Sequence, residues 1–156
     1  MKKEINKKFV ISLLIPLLGG LLSGLLARGG IGNFDLLKKA SLTPPGWVFA
    51  VVWPILYLLM GYSSYLIMEE NDYHSDCCLK IYYLNLFINF LWSPLFFGLG
   101  LRLFSFIWII LLDIVVIYMA ICFYKVNKKA TYLLIPYLVW LSFATYLNLM
   151  FYLLNR

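Results

Sequence analysis

The chain has 156 residues, of which 63% are hydrophobic and only 13% are charged, and its formal net charge is +6. About a quarter of the residues of a soluble domain are charged, so this composition excludes an ordinary water-soluble globule and indicates a protein whose solvent is lipid. The basic residues are scattered among the loops, which argues against a nucleic-acid-binding surface.

Five apolar runs divide the chain. Each has the length of roughly 20 residues that a helix needs to cross the hydrocarbon core of a bilayer. A membrane barrel would instead show short segments of alternating polarity. The sequence therefore predicts an all-α fold: a single membrane domain over residues 1–156, with helices 1 to 5 at about 9–27, 47–68, 81–101, 104–124 and 131–154.

Predicted helix 1 contains the sequence GGLLSG, which spaces Gly20 from Gly24 and Gly19 from Ser23 by four residues. Small residues at this spacing allow helices to approach closely, and we expect the approach to occur inside the bundle. The run is longer than the apolar part of a signal peptide, so it indicates a retained helix.

Predicted helix 2 opens with Pro44, Pro45 and Gly46. Proline disfavours helix in the residue before it and suits the first helical turn. The two prolines therefore predict an extended approach followed by a helix start, and Gly46 is expected to allow a tight turn.

Helices 2, 3 and 5 each carry aromatic, small and amide residues at steps of three or four, so that each set forms a stripe on one helix face. The stripes are Trp53, Tyr57, Gly61 and Ser64; Tyr82, Asn85, Asn89, Trp92 and Phe96; and Tyr137, Trp140, Ala144, Asn148 and Tyr152. Close packing and interhelical hydrogen bonds would explain such stripes. If the stripes face a cavity, they would equally suit a planar, mostly apolar ligand with polar edges. The residues alone leave both interpretations open.

The sequence offers little for metal or hydrolytic chemistry. Cys77 and Cys78 are adjacent in a predicted loop, Cys122 lies in helix 4, and His74 precedes Cys77 by three residues. No CxxC pair or Cys/His quartet is present, so we expect no metal and no cofactor. No nucleophile with a histidine base, carboxylate pair or phosphate-binding loop is recognisable.

Asp113 is the one acid deep in an apolar run. A carboxylate at the centre of a membrane helix costs about 2.5–3.5 kcal/mol on insertion scales. We favour a protonated or amide-paired acid that ties helix 4 to a neighbour. The alternative is the coupling acid of a transporter.

The distribution of Lys and Arg predicts the orientation in the membrane. Eight lie on the face that holds the N-terminus, namely Lys2, Lys3, Lys7, Lys8, Lys80, Lys125, Lys128 and Lys129. Five lie on the opposite face, namely Arg28, Lys38, Lys39, Arg102 and Arg156. The positive-inside rule then places the N-terminus in the cytoplasm.

Three motifs in order, PPGWVFAVVWPILYLLMGYSSYLI from Pro44, NLFINFLWSPLFFG from Asn85 and LLIPYLVWLSFATYLNL from Leu133, resemble the tryptophan-rich sensory protein / translocator protein family. This family is also called the peripheral-type benzodiazepine receptor family, and the resemblance covers nearly the whole chain. It implies a five-helix membrane bundle, often a homodimer, that binds tetrapyrroles such as protoporphyrin and haem. The pocket would open towards the loop between helices 1 and 2.

The resemblance also implies which residues form the pocket. They would be Phe34, Pro44, Trp53, Tyr57, Asn89, Trp92, Trp140, Ala144 and Asn148. Some bacterial relatives are reported to promote light-dependent porphyrin breakdown with pocket tryptophans, which here would be Trp53 and Trp140. The expected function is a sensor or carrier of tetrapyrroles in a bacterial cell membrane. A light-dependent porphyrin-degrading enzyme and a transporter of small amphipathic molecules are the alternatives.

The loop between helices 1 and 2 departs from the family pattern. Leu42 stands where the family has Trp, Asn33-Phe34 replaces Trp-Tyr, and Lys39-Ala40 replaces Lys-Pro. We therefore expect this loop to hold a ligand differently from the loops of typical relatives.

Overall fold

The computed structural model describes residues 7–70 and 72–156, apart from the side chain of Asn33. Within this part, five helices are long and apolar enough to cross a membrane, and no strand occurs. The helices are α1 (Lys7–Ala27), α2 (Gly46–Glu69), α3 (Ser75–Ser93), α4 (Arg102–Val126) and α5 (Lys128–Leu154), and a π-helical turn, Pro94–Gly98, extends α3. The predicted all-α membrane fold is confirmed.

The start of α3 is the largest difference from the predicted boundaries. The helix begins at Ser75 rather than near Ile81, and its first turn contains Asp76, whose charge suits the positive end of the helix dipole. Cys77 and Cys78 therefore lie in α3, and the prediction that they are loop residues is wrong. Cys78 is buried and Cys77 is exposed.

The start of α2 agrees with the prediction from its prolines. Pro45 is the N-cap residue, with extended backbone (φ −61°, ψ 150°), and the helix begins at Gly46. Gly46 itself needs no special conformation: its φ is not positive and a Cβ there would meet nothing within 4 Å. The expectation of a tight turn at Gly46 is wrong, because the proline pair alone directs the chain into the helix.

The five long helices form a ring in the order α1, α2, α5, α4, α3, with α2 also touching α3 across the interior. The pairs α4–α5 and α1–α2 have the most extensive contacts. The core therefore lies between α2, α3, α4 and α5. The face of α1 that points away from it carries leucines more than half exposed, such as Leu21 and Leu26, which suit contact with lipid.

Small residues bring α1 close to α2 and α3. A Cβ on Gly19 would collide with the Phe90 ring, and one on Gly20 with the Tyr57 ring. Ser23 donates a hydrogen bond of 2.5 Å to the carbonyl oxygen of Phe90. That carbonyl is free because Pro94, four residues later, has no N–H to donate to it. The close packing predicted for GGLLSG within the bundle is confirmed for these three residues.

The segment between α1 and α2 folds over one end of the ring. It contains a short 3-10 helix, Arg28–Gly30, and a short α-helix, Ile31–Asp35, neither of which the sequence predicted. The side chain of Asn155, just beyond α5, accepts a hydrogen bond from the Lys38 amide at 2.9 Å and donates one to the Lys38 carbonyl at 3.0 Å. The end of α5 thereby holds this segment in place. We call it the α1–α2 loop.

Candidate functional site

A chain of buried hydrogen bonds joins three helices in the interior. Tyr57 of α2 donates to the Asn89 side-chain oxygen at 2.9 Å, and the Asn89 amide donates to the Tyr137 hydroxyl of α5 at 2.9 Å. Tyr137 then donates to the Asn85 side-chain oxygen at 3.0 Å. These four residues are at most 8% exposed. Two of the predicted pocket residues, Tyr57 and Asn89, thus have a structural role in joining helices.

Aromatic rings are packed above this network, towards the α1–α2 loop. Trp53 stacks on Tyr57 with ring centroids 5.5 Å apart, and lies 6.5 Å from Trp92 of α3. Trp92 stacks on Phe96 at 5.3 Å with an interplanar angle of 16°. Its indole N–H donates to the Asn148 side-chain oxygen at 3.2 Å. The structure therefore brings together Trp53, Tyr57, Trp92 and Asn148.

Ala144 and Asn148 form one unit on α5. The Asn148 amide donates to the Ala144 carbonyl one turn earlier at 2.8 Å, which fixes the orientation of the Asn148 side chain. Both residues are buried. Ala144 thus keeps α5 narrow beside the rings, and Asn148 presents its oxygen to Trp92.

Trp140 lies in a separate aromatic contact. Its ring is 5.6 Å from Phe49 and 5.8 Å from Phe143, and no ring contact among the described residues joins it to Trp53. Its indole nitrogen is buried and has no hydrogen-bond partner. Phe49 lies one turn before Trp53 on the same face of α2, so Trp140 contacts the helix that carries Trp53. Phe49 was not predicted as a site residue, although it extends the helix 2 stripe by one turn.

Phe34 closes the aromatic cluster from the loop side. It lies in the short helix Ile31–Asp35, with its ring 5.2 Å from Phe97, 6.2 Å from Phe96 and 5.1 Å from Phe151. Pro44 is half-buried in the segment leading into α2 and does not line the cavity beside Phe34. Leu42, the departure from the family's tryptophan, is 63% exposed.

A cavity of about 220 Å³ lies beneath the α1–α2 loop. Its walls include Phe34, Leu37, Phe96, Phe97 and Arg102, together with the glycines of residues 30, 98 and 100. Ligand pockets are typically about 300–1,000 Å³. This space is therefore too small to enclose a tetrapyrrole unless the loop moves or part of the ligand lies outside it.

A more open depression of about 860 Å³ occupies the opposite end of the bundle. It lies around the α2–α3 connection, with Glu70, Asp72, His74 and Cys77 among its lining residues. No predicted pocket residue lines it. Among the described residues, no group of three or more His, Cys, Asp or Glu side chains is placed to hold a metal ion.

Asp113 lies apart from the aromatic cluster. Its carboxylate accepts a hydrogen bond of 2.6 Å from the Thr145 hydroxyl of α5. The acid therefore ties α4 to a neighbouring helix, as we favoured, but its partner is a hydroxyl group rather than an amide.

Comparison with known proteins identifies relatives along most of the chain. A sequence profile described as the TspO/MBR family matches residues 12–153. The Tryptophan-rich protein TspO of Archaeoglobus fulgidus is 41% identical over 119 residues, which cover 76% of this chain and 77% of that protein. The Translocator protein of Sus scrofa is 39% identical over 139 residues, which cover 86% of this chain and 82% of that protein. Protein CrtK of Rhodobacter capsulatus is 32% identical over 125 residues, 78% of each chain.

Proposed function

The chain belongs to the TspO/MBR family of multi-pass membrane proteins, and from that premise we propose that it is a sensor or carrier that binds a flat, mostly apolar ligand of the tetrapyrrole class. Protoporphyrin and haem are the ligands that such a site would suit. The proposed site lies between α2, α3 and α5, beneath the α1–α2 loop.

A continuous path of aromatic rings carries this proposal. It runs from Trp53 to Trp92 (6.5 Å), from Trp92 to Phe96 (5.3 Å) and from Phe96 to Phe34 in the loop (6.2 Å). A conjugated macrocycle can replace ring–ring contacts of this kind with its own stacked contacts, each worth about 0.5–1.5 kcal/mol beyond the burial of area. The path reaches the loop, so a ligand that displaces Phe34 meets aromatic surface at each step inward.

Polar groups of α5 suit the edges of such a ligand, although no ring contact among the described residues joins Trp140 to the path. The buried Trp140 N–H has no acceptor in the protein, although a buried donor normally has one. A ligand oxygen or nitrogen within reach would satisfy it. The Asn148 and Trp92 pair is already satisfied and would keep its geometry when a ligand binds.

Binding requires the loop to move. The interior residues Tyr57, Asn89, Trp92, Ala144 and Asn148 are at most 8% exposed, so the packed rings leave little free surface for a ligand. The loop is attached through Phe34, through the close packing of Gly30 against the Phe97 backbone, and through the two Asn155 hydrogen bonds to Lys38 at the exposed end of the bundle. These contacts are few compared with those that hold the five long helices together.

Titration of the purified protein with protoporphyrin in the dark tests the proposal. Quenching of tryptophan fluorescence that saturates at a fixed stoichiometry, with the porphyrin recovered unchanged, is the expected result. The absence of saturable quenching would contradict it. Illumination of the same complex separates a carrier from an enzyme, because only an enzyme yields porphyrin products whose amount depends on Trp53 or Trp140.

A further inference from the structure

The cavity beneath the α1–α2 loop contains a cation that the protein itself does not neutralise. Arg102 is half-buried and lines this cavity of about 220 Å³. Its Nε atom is buried without a hydrogen-bond partner, and one terminal nitrogen donates a bond of 3.3 Å to the Asn155 carbonyl. The ion pairs among the described residues are Lys8–Glu69 and Lys39–Asp35, so Arg102 has no carboxylate partner there.

The surroundings of Arg102 favour an anion. It is the first residue of α4, where the helix dipole places partial positive charge. The nearest acid along the loop, Asp35, is occupied by Lys39 at 3.2 Å. A buried arginine N–H without an acceptor costs free energy that an incoming anion would recover.

The other residues that line the cavity favour an anion with an apolar body. Phe34, Phe96, Phe97 and Leu37 line the same cavity as Arg102 with apolar surface. A ligand that satisfies both needs an apolar, preferably flat, body and an acidic group at its edge. The planar fork of arginine matches a carboxylate, with which it forms two parallel hydrogen bonds.

We propose that Arg102 and the rings around it form a subsite for the carboxylate group of an amphipathic ligand, at the mouth of the aromatic cluster. This inference deepens the proposed function, since a tetrapyrrole with carboxylate side chains is one such ligand. The cavity accommodates the carboxylate edge, and the macrocycle then lies against Phe34, Phe96 and the rings beyond them. Arg102 thus determines which end of the ligand faces the loop.

The test compares acids with their esters in lipid nanodiscs, with empty nanodiscs as the blank. The first pair is protoporphyrin and its dimethyl ester, and the second is a fluorescent polyene fatty acid and its methyl ester. We expect the wild-type protein to bind each acid roughly tenfold more tightly than its ester, which is the size of effect that one charge-assisted pair gives in a half-buried place. Arg102→Gln should remove this preference and leave ester binding unchanged, while Arg102→Lys should retain part of it.

Arg28→Gln is the matched control, because Arg28 is an exposed arginine at the same end of the bundle. It should leave the preference for acids intact. Equal binding of acid and ester by the wild type, or an equal loss of both in Arg102→Gln, would overturn the carboxylate subsite. Preferential binding of the fatty acid without any porphyrin binding would support the subsite and refute the tetrapyrrole proposal, whereas binding of neither acid would refute both.

Discussion

Four buried side chains satisfy one another's hydrogen-bonding groups in the apolar interior. They are Tyr57, Asn85, Asn89 and Tyr137. Each hydroxyl or amide would cost several kcal/mol if left unpaired in a lipid-like environment. The network satisfies them through bonds of 2.9 to 3.0 Å that cross between α2, α3 and α5. Tyr137 is central to it, because its hydroxyl both accepts from Asn89 and donates to Asn85.

Replacement of Tyr137 by Phe should therefore destabilise the fold. The substitution preserves the ring but leaves the Asn89 and Asn85 side chains each with one partner fewer, which costs about 1–3 kcal/mol. A lower midpoint of thermal unfolding in detergent is the expected result. Tyr132→Phe is the control, since Tyr132 is 57% exposed and should change little. Equal midpoints for the two variants would show that the network contributes nothing to stability.

The tryptophans of the aromatic cluster should affect binding rather than folding. Trp53→Phe and Trp140→Phe retain most of the ring volume but reduce the stacking surface and remove the N–H group. Because the Trp140 N–H has no partner in the protein, its loss should leave stability unchanged. We expect protoporphyrin affinity to fall several-fold in each variant, measured by fluorescence quenching, with circular dichroism confirming the fold.

Trp47→Phe is the control for these two variants. Trp47 is 68% exposed at the start of α2 and belongs to no ring contact described above. It should bind protoporphyrin like the wild type. If Trp47→Phe lost affinity while the Trp53 and Trp140 variants did not, the site would have been assigned to the wrong faces of α2 and α5.

Much of the candidate site was readable from the sequence, because the spacing of three and four residues reports which side chains share a helix face. The spacing does not show which of these side chains form hydrogen bonds with one another. Tyr137 and Asn85 were recognised as stripe members but not as partners of Asn89. Arg102 was counted only as a topology charge, because nothing in the sequence reveals that its Nε is buried or that it lines the same cavity as Phe34.

At the scale of the helices, Gly61 permits a close contact of α2 with the backbone of α1. A Cβ on Gly61 would lie 2.5 Å from the Ser12 carbonyl oxygen and 2.9 Å from the Leu13 Cα atom, and both are backbone atoms that cannot turn away. Gly61→Ala should therefore push the two helices apart and lower stability by about 1–3 kcal/mol. Thermal unfolding in detergent measures this.

Gly24→Ala provides the matched comparison for Gly61→Ala. Gly24 lies on α1 in the same GGLLSG sequence, but a Cβ there would meet nothing within 4 Å inside the protein. Its replacement should preserve or slightly raise the unfolding midpoint, because alanine is the better helix former. If Gly24→Ala were as destabilising as Gly61→Ala, the loss could not be attributed to the contact of α1 with α2.

Replacement of Asp113 tests whether an acid is needed between α4 and α5. Asp113→Asn retains an oxygen that can accept the hydrogen bond from Thr145, so the variant should fold and bind ligand nearly as the wild type does. Binding assays over a range of pH and flux measurements in sealed vesicles are the relevant experiments. A folded Asp113→Asn protein that has lost pH-dependent binding or flux would favour the transporter alternative.

Helix existence was predictable, whereas some helix ends were not. Long apolar runs dominate the five spans, so hydropathy finds them with little help from other signals. The beginning of α3 was missed because Ser75, Asp76 and Lys80 are polar, and hydropathy does not report that the helix continues through them. The π-helical turn Pro94–Gly98 begins at a proline, which leaves the Phe90 carbonyl without a backbone donor. The hydroxyl that satisfies this carbonyl belongs to Ser23 of another helix, so the sequence around Pro94 does not reveal it.

At the scale of the whole molecule, the ring places different chemistry at its two ends. The end beneath the α1–α2 loop carries Arg28, Lys38, Lys39, Arg102 and Arg156, with Asp35 as its acid among the described residues. The opposite end holds Lys7, Lys8, Lys80, Lys125, Lys128 and Lys129 together with Glu69, Glu70, Asp72 and Asp76. The proposed ligand therefore enters from the end with fewer acids, which agrees with a carboxylate as its polar group.

The lysines and arginines at the two ends also predict the orientation of the protein in the membrane. The positive-inside rule counts lysines and arginines near the spans and gives little weight to acids, so the acids around the α2–α3 connection do not cancel the lysines beside them. Lys2 and Lys3, which contribute to the count of eight against five, lie outside the described residues. The count predicts a cytoplasmic N-terminus and an external C-terminus, and hence a ligand site that opens away from the cytoplasm.

Reporter fusions test this arrangement: a C-terminal reporter that works only outside the cytoplasm should be active, and one that works only inside should be silent. Substitution of Lys125, Lys128 and Lys129 by Gln should weaken the bias and yield a mixed orientation. Cytoplasmic activity of the C-terminal reporter in the unaltered chain would reverse the orientation and place the mouth of the site on the cytoplasmic side.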